Sequence, residues 1–281
     1  MEVYSHLDKG IEQFREEIAE YAEQAATMNL PYWLIVQDSA PIGIFVVGEE
    51  PIQLIASPGT PMALINSLNT EVPETTLELF AIKSLELAKQ REVEYALTTF
   101  RSDETKGISQ FKERGFQEFD DCYKMVRQLD GLHKPSDILH FKQVQRYEMK
   151  EFITLAEKFL QGSPDIALTR ALEHLLELPE KFLNLYYNQE EFYFAIKGER
   201  PVGILNTNKT RGYINNIGID PRNRGKGYGK QVMYFALEKL RKQGCKTANL
   251  RVHVKNQVAI HLYESLGFVK KERYKRLIWW K

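Results

Sequence analysis

Apolar positions between residues 212 and 281 change period from one stretch to the next, and each change marks an element. Ile214, Ile217 and Ile219 belong to a strand-like run from Gly212 to Ile219 that stops at the turn signal Asp220-Pro221. From residue 232 the spacing is helical: Val232, Met233, Phe235, Ala236, Leu237 and Leu240 share one face, with Glu238, Lys239, Arg241 and Lys242 opposite. A second strand-like run, Thr247 to Val254, leads to a short helix that opens on Asn256 and closes on Gly267. Trp279 and Trp280 end a last strand that packs one ring inward. Upstream, Phe152 to Leu172 reads as two helices around Gln161-Gly162-Ser163-Pro164-Asp165.

Between the first strand and the long helix lies Asp220-Pro221-Arg222-Asn223-Arg224-Gly225-Lys226-Gly227-Tyr228-Gly229-Lys230. The glycines therefore sit at a helix N-terminus. There the first amides lack intrahelical partners, and a missing side chain lets the backbone curl around an anion. Arg222, Arg224 and Lys226 add positive charge. A Walker-type loop would need Ser or Thr after Gly229-Lys230, where Gln231 stands, and a dinucleotide fold would want an acidic residue where Val252-His253-Val254 ends the next strand.

A second pattern begins 27 residues past Gly229, Asn256-Gln257-Val258-Ala259-Ile260-His261-Leu262-Tyr263, and it runs on to Gly267-Phe268. Together the two patterns resemble the GNAT family of acyl-CoA-dependent N-acetyltransferases, over about residues 140 to 281. Arg224-x-x-Gly227-x-Gly229 matches the family's pyrophosphate loop, Asn256 and Tyr263 its second motif, and Gly267-Phe268 the turn that closes it.

The resemblance implies acetyl-CoA as co-substrate and direct attack of an amine on the thioester. It implies that the pyrophosphate is held by Arg224, Gly225, Lys226, Gly227, Tyr228, Gly229 and Lys230. Ile217, Gly218 and Ile219 would bond the pantetheine through their main chain, in a V-shaped gap between the strand and its neighbour. The amide of Ile217 would serve as a one-donor oxyanion hole, and Tyr263 would protonate the departing thiolate. Many members carry a Glu on this strand. Here Asn215-Asn216 stand instead, so Asn216 or Asn215 would order a water, or the amine would arrive neutral. Asn256 is in the first place a helix N-cap. The acceptor side is expected from residues 152–172 and a loop near Arg273-Tyr274, with Asp165, Glu190 or Glu191 attracting a cationic amine.

The first half carries a faint copy of the second. Pro41-Ile42-Gly43-Ile44 parallels Pro201-Val202-Gly203-Ile204, and Leu87, Lys89, Gln90 and Leu97 align with Leu240, Lys242, Gln243 and Leu250 at an offset of 153. Ile108, Gly115 and Phe116 align with Ile260, Gly267 and Phe268 at an offset of 152. Where the glycine loop should be, the first copy has Asn69-Thr70-Glu71-Val72-Pro73-Glu74-Thr75-Thr76, without glycine and with two carboxylates. Each carboxylate near contact would oppose a phosphate charge by about 1 to 4 kcal/mol. Phe111 replaces Tyr263, and Glu104 replaces Asn256.

The fold expected is therefore α/β (α+β): two GNAT-like domains in tandem, each a mixed, mostly antiparallel twisted sheet flanked by helices. Residues 1–130 form a degenerate copy, 131–139 a linker, and 140–281 the catalytic domain, and residues 137–281 alone are expected to hold acetyl-CoA.

Composition narrows the partners. The chain has 281 residues, 43% of them hydrophobic, and its 38 basic side chains equal its 38 acidic ones, so no broad nucleic-acid or anionic-membrane surface is expected. Cys122, Cys245 and the six histidines show no metal-binding spacing, and no targeting segment precedes the first element, so a cytoplasmic monomer or homodimer is expected. The acceptor is read as a small-molecule or protein amine. The other reading is a non-catalytic acyl-CoA-binding regulatory module; an aminoacyl-tRNA-dependent transferase is disfavoured because the chain is not basic and such relatives lack a pyrophosphate loop.

Overall fold

The computed structural model describes residues 1–69, 71–131, 138–177 and 180–281. The expected linker falls largely on 132–137, outside the described residues, as does Thr70. In chain order the first copy contributes β1 (Glu2–Ser5), α1 (Ala19–Met28), β2 (Tyr32–Gln37), β3 (Ala40–Glu49), β4 (Pro61–Ser67), α2 (Glu74–Gln90), β5 (Tyr95–Arg101), α3 (Thr105–Lys112) and β6 (Gln117–Gln128). The second contributes β7 (His140–Gln143), α4 (Met149–Leu160), α5 (Ile166–His174), α6 (Glu180–Gln189), β8 (Glu191–Lys197), β9 (Arg200–Asn208), β10 (Tyr213–Ile219), α7 (Tyr228–Lys242), β11 (Thr247–His253), α8 (Gln257–Ser265) and β12 (Val269–Trp280).

The duplication survives at the level of register. In the β2/β3 hairpin Ile35 faces Gly43 and Val36 faces Pro41; in β8/β9, Ala195 faces Gly203 and Ile196 faces Pro201. Each hairpin thus bulges out one residue, Ile42 or Val202, and both are buried. Gly115 and Gly267, at φ 92° and 81°, make the matching turns after α3 and α8, where a left-handed backbone favours glycine.

The chain divides into two compact units that do not coincide with the copies. One comprises residues Met1–Pro51, Ala56–Asp121 and Arg273–Lys281; the other comprises Ile52–Ile55 and Cys122–Glu272. The sheet of the first unit runs β1-β2-β3-β4-β5-β12, and that of the second β6-β11-β10-β9-β8-β7. Within β12, Tyr274 to Trp280 pair antiparallel with Arg101 to Tyr95 of β5. Within β6, Cys122 to Gln128 pair with His253 to Thr247 of β11. Each copy's last strand therefore closes the sheet built by the other. Arg273 and Tyr274, expected in an acceptor loop, instead lie in β12, with Arg273 bonded through Nε to Asp121 Oδ1 at 2.7 Å.

Each unit has its own core. Val232, Met233, Ala236, Leu237 and Leu240 of α7, Leu250 of β11 and Met125 of β6 pack together in the second unit. In the first, Phe80 and Ala81 of α2 and Phe111 of α3 pack on Ile65, Ala96, Phe100 and the β12 residue Leu277, with Trp279 at the margin. The helical stripe read from residues 232 to 240 is thus the buried face, except that Phe235 is only partly buried and stacks on Phe141 at 3.9 Å.

Candidate active site

Strand β10 makes the site by departing from regularity twice. Its ladder with β9 shifts register between Ile214 and Asn216, so Asn215 is the extra residue of a bulge. Its parallel pairing with β11 is registered at Tyr213 opposite Asn249 and not beyond, so the strands part on the way to their C-terminal ends. Ligand sites in sheets of this kind gather at such openings.

A cleft of about 590 Å³ occupies the opening. Its floor is Ile217, Gly218 and Ile219; one wall is the α4–α5 turn, Phe159 to Pro164; the other is Asn256, Val258, Ala259, Leu262 and Tyr263 on α8. Loop residues Asn223, Arg224, Gly225, Gly227, Tyr228, Gly229 and Lys230 close the end. Of the residues expected from sequence at the cofactor, all but Lys226 line this one space. The amine of Lys226 is turned to the Arg222 carbonyl at 3.1 Å and to Asn223 Oδ1 at 3.0 Å. Tyr228 lends its backbone only, because its ring is buried in the core and its hydroxyl meets Lys197.

The loop fits an anion. Gly225 and Gly227 have φ of 77° and 79°, and a Cβ on either would meet no protein atom within 4 Å, so the space above them is open. Gly227 caps α7, whose first amides face that space. Gly218 answers a different need: a Cβ there would lie 2.9 Å from Phe159 Cβ, so only glycine lets α4 approach the strand.

The loop's charges are unequal in role. Arg222 is paired with Asp220 at 2.8 Å and holds that carboxyl down at about 2, so its charge is already matched. Arg224 donates to the carbonyls of Ile219 at 3.2 Å and Phe159 at 2.9 Å. The latter belongs to the last turn of α4, where a cation complements unsatisfied carbonyls. Arg224 is thus a clamp between strand, loop and α4 as well as a positive wall of the cleft.

Asn256 caps α8, accepting from Ala259 N at 3.2 Å. Tyr263 stands one helical turn beyond Ala259 and lines the cleft, its ring 6.0 Å from that of Phe268. Burial pushes the phenol up to about 12, which keeps it protonated over the physiological range. Asn216 does not line the cleft; its side chain bonds Tyr186 of α6.

The acidic candidates separate cleanly. Asp165 caps α5, accepting from Leu168 N at 2.9 Å, and lies 3.4 Å from Arg251. Glu191 binds Gln243 at 2.6 Å and Tyr193 at 3.1 Å. Glu190 instead receives the side-chain amides of Asn206 and of the bulge residue Asn215. Desolvation raises its pKa against the pull of those two donors.

Residues 156–268 match the sequence profile of the acetyltransferase (GNAT) family, and this stretch of the chain is a GNAT domain. The chain is 32% identical over 65 residues to N-alpha-acetyltransferase 30 of Saccharomyces cerevisiae, covering 23% of this chain and 37% of that protein. It is 34% identical over 91 residues to mycothiol acetyltransferase of Streptomyces scabiei, covering 31% of this chain and 30% of that one. The chain thus spans about a third of the length of these curated relatives. The fold is similar to that of a tandem GNAT protein from the clavulanic acid biosynthesis pathway, with a TM-score of 0.64 at 12% identity over 99% of this chain and 98% of that one. The family supplies acyl-CoA as the co-substrate class. Among the described residues no helix is long and apolar enough to cross a membrane.

Proposed function

We propose that the chain is an N-acetyltransferase that moves an acetyl group from acetyl-CoA to the amine of a small molecule or protein, both substrates being bound at once, and that it acts in the cytoplasm. The observation that carries this reading is the cleft between the C-terminal end of β10 and α8, which joins an anion cradle at one end to a buried phenol on its wall. The amides of Gly225, Gly227 and Gly229, with Arg224 and Lys230, hold the pyrophosphate. Ile217, Gly218 and Ile219 offer main-chain partners to the pantetheine, along an edge that β11 has left. The Ile217 amide faces charge developing on the thioester oxygen; one such donor is worth about 3 to 4 kcal/mol in the barrier. Tyr263 gives its proton to the leaving sulfur. Asn216, bonded to Tyr186, holds the bulge in shape beside the reacting centre.

The relatives' names speak of N-alpha-acetylation, of a ribosomal protein's alanine and of mycothiol, so a protein and a small-molecule acceptor both stay within the proposal. The test is release of free thiol from acetyl-CoA with a panel of peptide N-termini, polyamines, amino sugars and amino acids. Saturable thiol release with one acceptor class supports the reading. Tight acetyl-CoA binding without transfer to any amine would replace it with the regulatory-module reading.

A further inference from the structure

The residue that would take the amine's proton is absent from β10 itself, where Asn215-Asn216 stand. A carboxylate nonetheless reaches that strand from its neighbours. Glu190, between α6 and β8, places one carboxylate oxygen on Asn215 Nδ2 and the other on Asn206 Nδ2. Asn206 lies opposite Asn216 in the β9/β10 ladder, so Glu190 is fixed at the point where the bulge begins and the strands start to part.

The face of the sheet follows from alternation. Ile204, two residues before Asn206, packs with Phe152 and Phe159 of α4, whereas Leu205 packs with α7. Likewise the missing Cβ of Gly218, two residues after Asn216, points at Phe159 and Leu160. Asn206, Asn216 and the Glu190 carboxylate therefore belong to the α4–α6 face, away from the helix α7 that begins at the glycine loop.

Two further observations suit a reacting group. Each Glu190 oxygen accepts one amide N–H and keeps a lone pair for another donor. Asn206 is wholly buried, yet its Oδ1 has no partner among the described residues, which leaves an acceptor at the same spot. Glu190 also lines a polar cleft of about 640 Å³ with Asn215, Asn208, Lys209, Arg211 and Tyr213, so the carboxylate has a route to solvent.

We propose that Glu190 meets the acceptor amine and takes its proton, supplying from the β8 side the carboxylate that β10 lacks. The inference rests on the acetyltransferase reading above. In the step, the amine nitrogen forms a C–N bond to the thioester carbonyl carbon and the C–S bond breaks. The proton leaving nitrogen passes to the Glu190 carboxylate, and the sulfur takes one from Tyr263; both groups return to their starting state by exchange with water. Tyr186 on α6, Tyr213 on β10, and Lys209 and Arg211 on the β9–β10 loop are the titratable or charged groups around the carboxylate, and none of these four offers Glu190's combination of a bulge contact and a free lone pair on a proton acceptor.

The test compares the full-length chain with Glu190→Gln and Glu190→Asp. Two acceptors are used: the best primary amine of the panel above, and hydroxylamine, which is neutral at neutral pH and needs no base to attack. With the primary amine, Glu190→Gln should lose roughly 10² to 10⁴-fold in kcat/KM. The acidic limb of its pH profile should vanish, with acetyl-CoA affinity and melting temperature unchanged. Hydroxylamine should lose less than about threefold, and Glu190→Asp should recover an acidic limb. Equal losses with both acceptors, or wild-type rates in folded Glu190→Gln, would overturn the assignment while leaving the acetyltransferase reading intact. A wild-type chain that releases no thiol with any acceptor would overturn both.

Discussion

The two copies share a bulged hairpin and a Gly-Phe turn, yet they treat their parallel strand pair in opposite ways. In the first, β4 and β5 stay zipped over Met62–Tyr95, Ala63–Ala96, Leu64–Leu97 and Ile65–Thr98, and β4 meets β3 with no shift. In the second, β10 is bulged and leaves β11 after a single registered pair. The residues behind those pairs differ to match. Phe111 is fully buried and makes ring contacts with Phe80, Phe100 and Phe116 at 5.0 to 5.5 Å, whereas Tyr263 faces a cleft. At the start of α2, Glu74 meets Gln110 and Glu78 meets Arg114 at 2.9 Å; at the start of α7 there is open space above two glycines. The comparison teaches that this cleft is made by withheld regularity. A parallel pair that completes its hydrogen bonds and fills its end with rings is more stable and has nowhere to hold a ligand.

Removing the first copy tests how separable the two are, and has the largest expected effect. A fragment of residues 138–281 loses Cys122 to Gln128, which pair along the whole of β11, the strand that leads to the cleft residue Asn256, and loses the β5 partner of β12. The sequence alone suggests that such a fragment would hold acetyl-CoA; the strand exchange reverses that expectation. We expect no cooperative melting transition and no acetyl-CoA binding by calorimetry. A fragment that melts cooperatively and binds at wild-type affinity would show that β6 is dispensable.

Next comes the anion cradle. Gly227→Glu places a side chain on a backbone at φ 79° and a negative charge in the open space, so acetyl-CoA affinity should fall by more than about 100-fold: strain costs about 1 to 2 kcal/mol and like charge adds to it. Glu71→Gly with Glu74→Gly in the first copy should create no second site, because its strands remain zipped. Calorimetry should count one site per chain in the wild type and in this double variant. Two sites would mean that the loop, not the opening, decides.

Much of this was legible because local chemistry settles it. Turn glycines, the Asn256 cap, the 232–240 stripe and the hairpin signature each follow from a few adjacent residues, and the structure has all of them. The exchange of β6 and β12 was not legible: each follows its own Gly-Phe turn at the same offset, and a strand's pattern gives its buried face without naming its partner. The run from Val269 to Arg276 is mostly charged and reads as a loop, although Leu277 and Ile278 anchor it as a strand. The charges of Arg222 and Lys226 looked available from sequence, whereas Asp220 and Asn223 take them up at short range. Glu190 stood out only as one of three acidic residues, since its value depends on Asn206 and Asn215, which lie 16 and 25 residues away.

Exchanging Tyr263 and Phe111 sharpens the contrast at one atom. Tyr263→Phe should leave acetyl-CoA affinity and melting unchanged and lower kcat and kcat/KM together by about 10² to 10⁴-fold. Because burial holds the phenol at about 12, the wild-type profile should show no alkaline loss from this group until pH nears that value. Phe111→Tyr should leave transfer untouched and destabilise the fold by about 1 to 3 kcal/mol, because a hydroxyl would be buried among rings. Wild-type kcat in folded Tyr263→Phe would mean that the sulfur leaves without this acid.

The smallest effect lies in an ion pair that the copies hold in reverse. Lys112 on α3 meets Glu118 on β6 at 2.6 Å, while Glu264 on α8 meets Lys270 on β12 at 2.8 Å, each 152 residues on with the charges exchanged. Glu118 also meets Lys275 at 2.9 Å, and its two lysines hold its pKa at about 2. Its folded pKa is depressed, so its contribution is present above the ordinary carboxylate range and is lost as pH falls from there toward about 2. Glu264 raises the pKa of Lys270, so that contribution is present below the ordinary lysine range and is lost as pH rises through the folded value. Glu118→Gln should therefore flatten the acid side of the stability curve and Lys270→Gln the alkaline side. Glu118 is 42% exposed, and solvent screening keeps its effect under about 1 kcal/mol. Urea melts of both variants at pH 3, 7 and 10.5 read the two limbs separately. If Glu118→Gln shifted the alkaline limb, or Lys270→Gln the acid one, the reversed pairs would not be the source of either.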